Sequence, residues 1–232
     1  MTFPALFLAY LTLVVLAAAT VVIRSLTGRA RFMTLGLLVV WLAYAGMLGV
    51  VGVPGHYDQV PPGLVFLVVP VVAALLALTL TGPGAILAHQ IPLRLLIGFQ
   101  VFRVGVELSL HHLSSLRLAP RIMTLEGGNI EIVVALTAPV AAWLATGSTG
   151  RWVAWAWNLV GLASLGNVVV RAVLSAPGPL QLIHAEVPDM AILLYPFTFI
   201  PGFMAPLALA LHILAFRAFA RRDNHASRLG LT

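Results

Sequence analysis

Cysteine is absent from the chain, and so is lysine. Without cysteine there is no disulfide, no thiolate nucleophile, no Cys-ligated zinc and no iron–sulfur cluster. Without lysine there is no retinal-type Schiff base. Charge of either sign is scarce: 9% of the 232 residues are charged, against about 25% in a soluble domain. What fills the chain instead is apolar: 61% of residues are hydrophobic and mean hydropathy is +1.04. This is the composition of a polytopic membrane protein, whose partner is the lipid bilayer. The net charge of +6 does not point to nucleic acid, because the arginines flank apolar runs.

The length suits an all-α bundle of seven transmembrane helices of roughly 20 residues each, in a single domain over 1–232. The spans are expected at about 3–23, 32–53, 64–80, 93–113, 130–146, 152–174 and 190–216, with 217–232 as a basic cytoplasmic tail. The first is read as an uncleaved helix. Arg24, Arg29 and Arg31 follow it, the reverse of a signal peptide. Trp152, Trp155 and Trp157 anchor the sixth at an interface, and Pro196, Pro201 and Pro206 bend the seventh. Orientation follows from arginine. The side with the N-terminus holds Arg117 and Arg121. The other holds Arg24, Arg29, Arg31, Arg94, Arg151, Arg217, Arg221, Arg222 and Arg228. The bias puts the N-terminus outside and the tail in the cytoplasm of a bacterial-type inner membrane, as a multi-pass protein.

The fourth span, LRLLIGFQVFRVGVELSLHHL, carries Gln100, Arg103, Glu107 and His111 at spacings of three, four and four. One stripe of a helix therefore holds all four. A charge at mid-bilayer costs about 2.5–3.5 kcal/mol on an insertion scale, so the stripe should face protein or water. Arg103 and Glu107, one turn apart, are expected to pair. Span six adds Ser164, Asn167 and Arg171 on one face, with Arg171 able to snorkel. The loop before span five adds Glu126, Asn129 and Glu131. Asn129 suits a helix cap, and Glu131 a first turn where the dipole favours a carboxylate. The topology brings these groups to one outer level, with His184, Glu186 and Asp189 on the next outer loop. Met123 and its apolar neighbours should dip back over the stripe, with Glu126 near Arg103 or Arg171.

Four segments, QVFRVGVEL (100–108), APRIMTLEGGNIEI (119–132), SAPGPLQ (175–181) and LALHILAFR (209–217), resemble an uncharacterised family of bacterial integral membrane proteins over roughly 90–217. In that pattern an Arg-x-x-x-Glu span precedes Pro-x-x-Met-Thr-aromatic-Glu-Gly-Arg-Asn. Here Leu125 replaces the aromatic, Gly128 the arginine, and Glu131 an aspartate. The resemblance implies a similar span count and singles out Arg103, Glu107, Glu126 and Asn129. It names no activity and no cofactor.

Metal chemistry has only a weak basis in Glu107, His111 and His184, since no His-x-x-x-His or His-Glu-x-x-His pattern occurs. For haem, His111 and His112 sit at the opposite end of the membrane from His212. His89 and His212 share the inner side. No phosphate loop or Gly-x-Ser-x-Gly is present.

The leading reading is non-enzymatic: an outward-facing site that binds, senses or moves a small polar or anionic solute, or protons. Arg103 and Arg171 would hold an anion, Glu107 would be counter-ion, and Glu126 and Asn129 the lid. A membrane enzyme acting on a lipid-borne substrate is the first alternative. The second is an accessory subunit of a larger membrane complex or homo-oligomer, whose stripe only locks helices. Transport predicts a polar path to the inner side, an enzyme predicts an opening to lipid, and an accessory role predicts a sealed cluster.

Overall fold

The long apolar runs become helices because lipid offers the backbone no hydrogen bonds, so each segment must satisfy its own. A computed structural model describes residues 2–145 and 148–228, with backbone only at 148, 149 and 221–228. The expected end of span five at 146 and most of the basic tail, including the side chains of Arg221, Arg222 and Arg228, lie outside the described residues. Helix α1 is Phe3–Ser25, α2 Gly28–Val51, α3 Val65–Leu80, α4 Gly82–Gln90, α5 Leu93–Gly98, α6 Arg103–Ser115, α7 Glu131–Leu144, α8 Ser148–Ser175 and α9 Ala205–Arg228. No strand occurs among the described residues.

Four helical stretches are long and apolar enough to cross a membrane: Phe3–Ser25, Gly28–Val51, Gly150–Ser175 and Ile200–Ala220. The pair α3–α4 makes a fifth if counted as one span, with a bend of 73° between its parts. The bend sits at Thr81-Gly82-Pro83, where proline is tolerated only in the first turn of a new helix. Helices α5 and α6 are joined without a loop by a tighter 3-10 stretch, Phe99–Phe102, into one rod over 93–115.

The expected start of a seventh span at 190 needs correction. Residues 190–199 form a short 3-10 turn and further turns, a π-helical stretch covers Ile200–Met204, and α9 follows from Ala205. Pro196 and Pro201 lack the N–H a regular helix needs there. The long apolar stretch therefore runs Ile200–Ala220, which moves His212 from the inner rim towards its middle.

The rod is central. Helix α7 packs on α5, α6 and α8, while α9 packs on α3, α4, α5 and α8. On α7, Ala135, Ala138, Ala141 and Ala142 are buried, small residues that let helices approach closely. Tyr10 of α1 lies over Gly105 of α6, where a Cβ would collide with its ring. The outer faces of α1, α2, α3 and α8 expose large apolar side chains such as Leu13, Leu37, Val69 and Trp152, the surface a bilayer covers.

Prolines inside the bundle leave carbonyls without their usual donors. Pro70 has no N–H for the Phe66 carbonyl four residues back, and that carbonyl accepts from the Tyr44 hydroxyl at 2.8 Å. Pro206 likewise withholds a donor from Gly202, whose carbonyl accepts from Trp41 Nε1 at 2.6 Å. Trp41 and Tyr44 are three residues apart on one face of α2.

Candidate functional site

The stripe on the rod is buried in its lower three members and exposed at its fourth. Gln100, Arg103 and Glu107 are 0%, 3% and 7% exposed. His111 is exposed, near the end of α6. The helical period thus brings three of the four inside, and the helix outruns the protein that would cover the last.

The expected Arg103–Glu107 pair gives way to a cross-helix arrangement. Arg103 Nη2 makes its ion pair with Glu131 Oε2 in the first turn of α7. Its Nη1 faces His212 Nε2 of α9 at 3.2 Å. Arginine can only donate, so His212 Nε2 accepts. Its Nδ1–H then donates to Asn158 Oδ1 at 2.7 Å, and Asn158 Nδ2 donates to the His212 carbonyl at 3.1 Å. Geometry thereby fixes a neutral ring with the proton on Nδ1. Long and planar, the guanidinium reaches two other helices more easily than the carboxylate one turn along its own.

Glu107 is bonded from another direction. Asn129 Nδ2 donates to Glu107 Oε2 at 2.7 Å and to the Met123 carbonyl at 2.9 Å, while Asn129 Oδ1 accepts the Glu131 N–H at 3.0 Å. The N-cap of α7 is Ile130, not the expected Asn129; from one residue outside the helix, one fully buried amide holds the first N–H of α7, closes the preceding loop and binds a carboxylate of the rod. Gln100 Nε2 donates to the Ala208 carbonyl at 3.0 Å, and its Oε1 has no partner.

The loop before α7 docks as its apolar residues require, but not through Glu126. Met123 and Thr124 are buried. Arg171 Nη1 donates to the carbonyls of Ile122 and Gly127 at 3.1 and 3.0 Å, and its Nε to Asn167 Oδ1 at 3.2 Å. Glu126 pairs with Arg121 at 3.1 Å, both side chains being largely exposed. The expected contact of Glu126 with Arg103 or Arg171 is therefore replaced by one at the surface, where a carboxylate keeps its water. Asn167 is exposed beside Arg171, and His184 is exposed on its loop. Among the described residues no group of three or more His, Asp or Glu is placed to hold a metal ion.

A cavity of about 160 Å³ lies beside the cluster, between α3, α6, α8 and α9. Its wall is apolar, built of residues such as Val68, Val72, Leu75, Leu165, Val169 and Met204, and its charged members are Arg103, Glu107 and Glu131. Helices α3 and α8 both pack on α9, and the cavity fills the gap between them.

Sequence reasoning left His212 at a membrane rim and did not join it to Arg103. The signal available was a histidine, the one ionisable residue in the apolar run 200–216. It also left Asn158 on the far side of span six. A second signal was Gly161, one turn from Asn158, whose missing Cβ makes room for the His212 ring.

No curated protein and no solved structure is significantly similar to the chain. A family model does match, over residues 60–220, and its description is a domain of unknown function, DUF8737. The match includes the cavity and the whole Arg103–Glu107–Glu131–His212 cluster, and the chain belongs to that family.

Proposed function

We propose that this chain is a multi-pass binding protein of a bacterial cytoplasmic membrane that takes an amphiphilic ligand from the bilayer into the cavity beside Arg103, Glu107 and Glu131. Seven spans would be α1, α2, α3 with α4 turned off its end, the 93–115 rod, α7, α8 and α9. The arginine bias favours an external N-terminus and a cytoplasmic tail. The observation that carries the reading is the cavity wall, almost entirely apolar yet holding three buried charged groups. A wholly polar solute would lose its water against valine and leucine with little in return. A molecule with an apolar body and a polar end suits both parts of the wall.

The reading is tested by native mass spectrometry of the protein released from its own membrane. One class of bilayer molecule should stay bound well above its bulk proportion and be lost from Val72→Phe, which fills the cavity from a half-exposed wall position. A protein that carries only bulk lipid, unchanged by Val72→Phe, would remove the reading.

A second reading has one observation in its favour. Arg103, Glu107, Asn129, Asn158 and His212 all find partners within the protein. That suits an accessory subunit whose cluster locks helices, and co-purification of a stoichiometric membrane partner would favour it.

A further inference from the structure

We propose that the ligand is a single-chain amphiphile whose head donates hydrogen bonds, a hydroxyl or an ammonium, in preference to a phosphate or carboxylate. This deepens the reading of the cavity as a ligand site and rests on it.

Charge is the first ground. Arg103 stands against two carboxylates, Glu107 and Glu131, in the same wall. The His212 ring adds nothing, because its Nε2 lone pair is turned to Arg103. The cluster is therefore net negative with its carboxylates ionised and at most neutral with one proton added. An incoming anion would meet no surplus positive charge.

Hydrogen-bond inventory is the second. Arg103 turns Nη2 to Glu131 in an ion pair that closes no hydrogen bond, and gives Nη1 to His212, so what it offers an anion is already set against a carboxylate. Arg171, the other arginine expected to hold an anion, does not line the cavity and directs Nη1 to two loop carbonyls and Nε to Asn167. Both Asn129 Nδ2 bonds are taken. On the acceptor side, Glu131 is 1% exposed, and its Oε1 has no hydrogen-bond partner. A buried carboxylate oxygen without a donor is costly. A hydroxyl or ammonium would supply that donor, whereas a carboxylate or phosphate ester would bring more acceptors.

Shape is the third. The cavity shares Leu64, Val68 and Val173 with a neighbouring one of about 100 Å³ under the loops that carry Tyr57 and Pro177–Leu180. It shares Val71, Leu75 and Pro206 with another of about 240 Å³ beside Trp41. The three follow one side of α3 from its N-cap Leu64 to Leu78, about 21 Å at 1.5 Å per residue. For scale, an apolar cavity of about 150 Å³ holds a benzene ring. The cluster borders the middle cavity of the row, so a single hydrocarbon chain with its head there runs along α3 towards one end.

The test uses the full chain in lipid nanodiscs and a photoactivatable hexadecanol analogue. Labelling should be saturable and fall on peptides of α3, α8 and α9. Hexadecanol and hexadecylamine should compete at least tenfold better than palmitate or hexadecyl phosphate. Equal or better competition by palmitate or the phosphate would overturn the donor-head inference while leaving the cavity a ligand site. Unsaturable labelling, with no competitor effective, would remove the site reading and the inference together. Glu131→Gln should weaken competition by the amine at least tenfold relative to wild type, and an unchanged value counts against the inference. Should that variant fail to fold, Val169→Phe narrows the chain path without touching a charge, and saturable labelling that survives it would overturn the proposed seat of the chain.

Discussion

Asn129 is the residue on which most of the cluster turns, because one amide serves Glu107, the Met123 carbonyl and the Glu131 N–H. Asn129→Ala removes all three, leaving a buried carboxylate without its donor. The expected loss is about 2–4 kcal/mol, read as unfolding in detergent. The bond from the Glu131 N–H alone would accept aspartate in place of asparagine. Here Asn129→Asp puts a second carboxylate 2.7 Å from Glu107, so it should be at least as destabilising as alanine. If Asn129→Asp were well tolerated, the bond to the Glu131 N–H would matter and the contact with Glu107 would not.

Asp189, on the loop between α8 and the last helical run, is 0% exposed with neither carboxylate oxygen hydrogen-bonded. Burial pushes its carboxyl up to about 7, and the N–H groups of Ala191 and Ile192 pull it partway back without closing a bond. The native state then holds a proton that the unfolded chain releases near its ordinary value of about 3.9. Between those two values the unfolded state binds fewer protons, so stability falls as pH rises from about 4 to 7 and levels off above. Asp189→Asn should flatten that stretch of the stability profile, measured by thermal unfolding at stepped pH. A slope identical in the two proteins would mean that Asp189 is ionised in the fold.

At the scale of elements, Arg171 shows how a charged residue in a span can be structural. It ties the loop before α7 to α8 through the carbonyls of Ile122 and Gly127. Arg171→Met keeps the stem and loses both bonds. Hydrogen exchange at 121–128 should rise several-fold while α6 and α9 keep their protection; equal rise everywhere would mean a global effect. Gly161 tests another junction. A Cβ there would lie 2.6 Å from His212 Cε1, and the ring cannot yield without losing Asn158 or Arg103. Gly161→Ala should therefore cost about 1–3 kcal/mol.

The same elements set what the sequence could reveal. A 3.6-residue period suffices to bury Gln100, Arg103 and Glu107 together, because that information lies within one helix. Which carboxylate Arg103 takes depends on how α7 is placed against the rod. Glu131 already had a local explanation in its helix dipole, which hid its second role. The docking of the 122–129 loop was legible from its apolar residues. Its anchor was not, since Arg171 bonds to backbone carbonyls, and carbonyls carry no sequence signal. His212 was misjudged because the prolines at 196 and 201 delay the last helix by about ten residues.

At the scale of the whole molecule, orientation is open to a direct measurement, since the chain has no cysteine of its own. Leu182→Cys, exposed on the loop after α8, should react with an impermeant thiol reagent in intact cells. Thr27→Cys, exposed between α1 and α2, should react only after the membrane is opened. The opposite pattern would invert the proposed topology.

The aromatic pair on α2 bears on what counts as an autonomous unit here. The family's matched stretch begins at residue 60, after α2 has ended, yet three backbone carbonyls inside that stretch accept from side chains before it. Phe66 and Gly202 rely on Tyr44 and Trp41 for the bonds that Pro70 and Pro206 deny them, and the Phe102 carbonyl takes the Tyr10 hydroxyl. Truncation at residue 60 would leave those carbonyls facing hydrocarbon, where no solvent can rescue them. A fragment covering 60–232 should therefore be made as separate helices that fail to consolidate, and co-expression of 1–59 as a second chain should restore it.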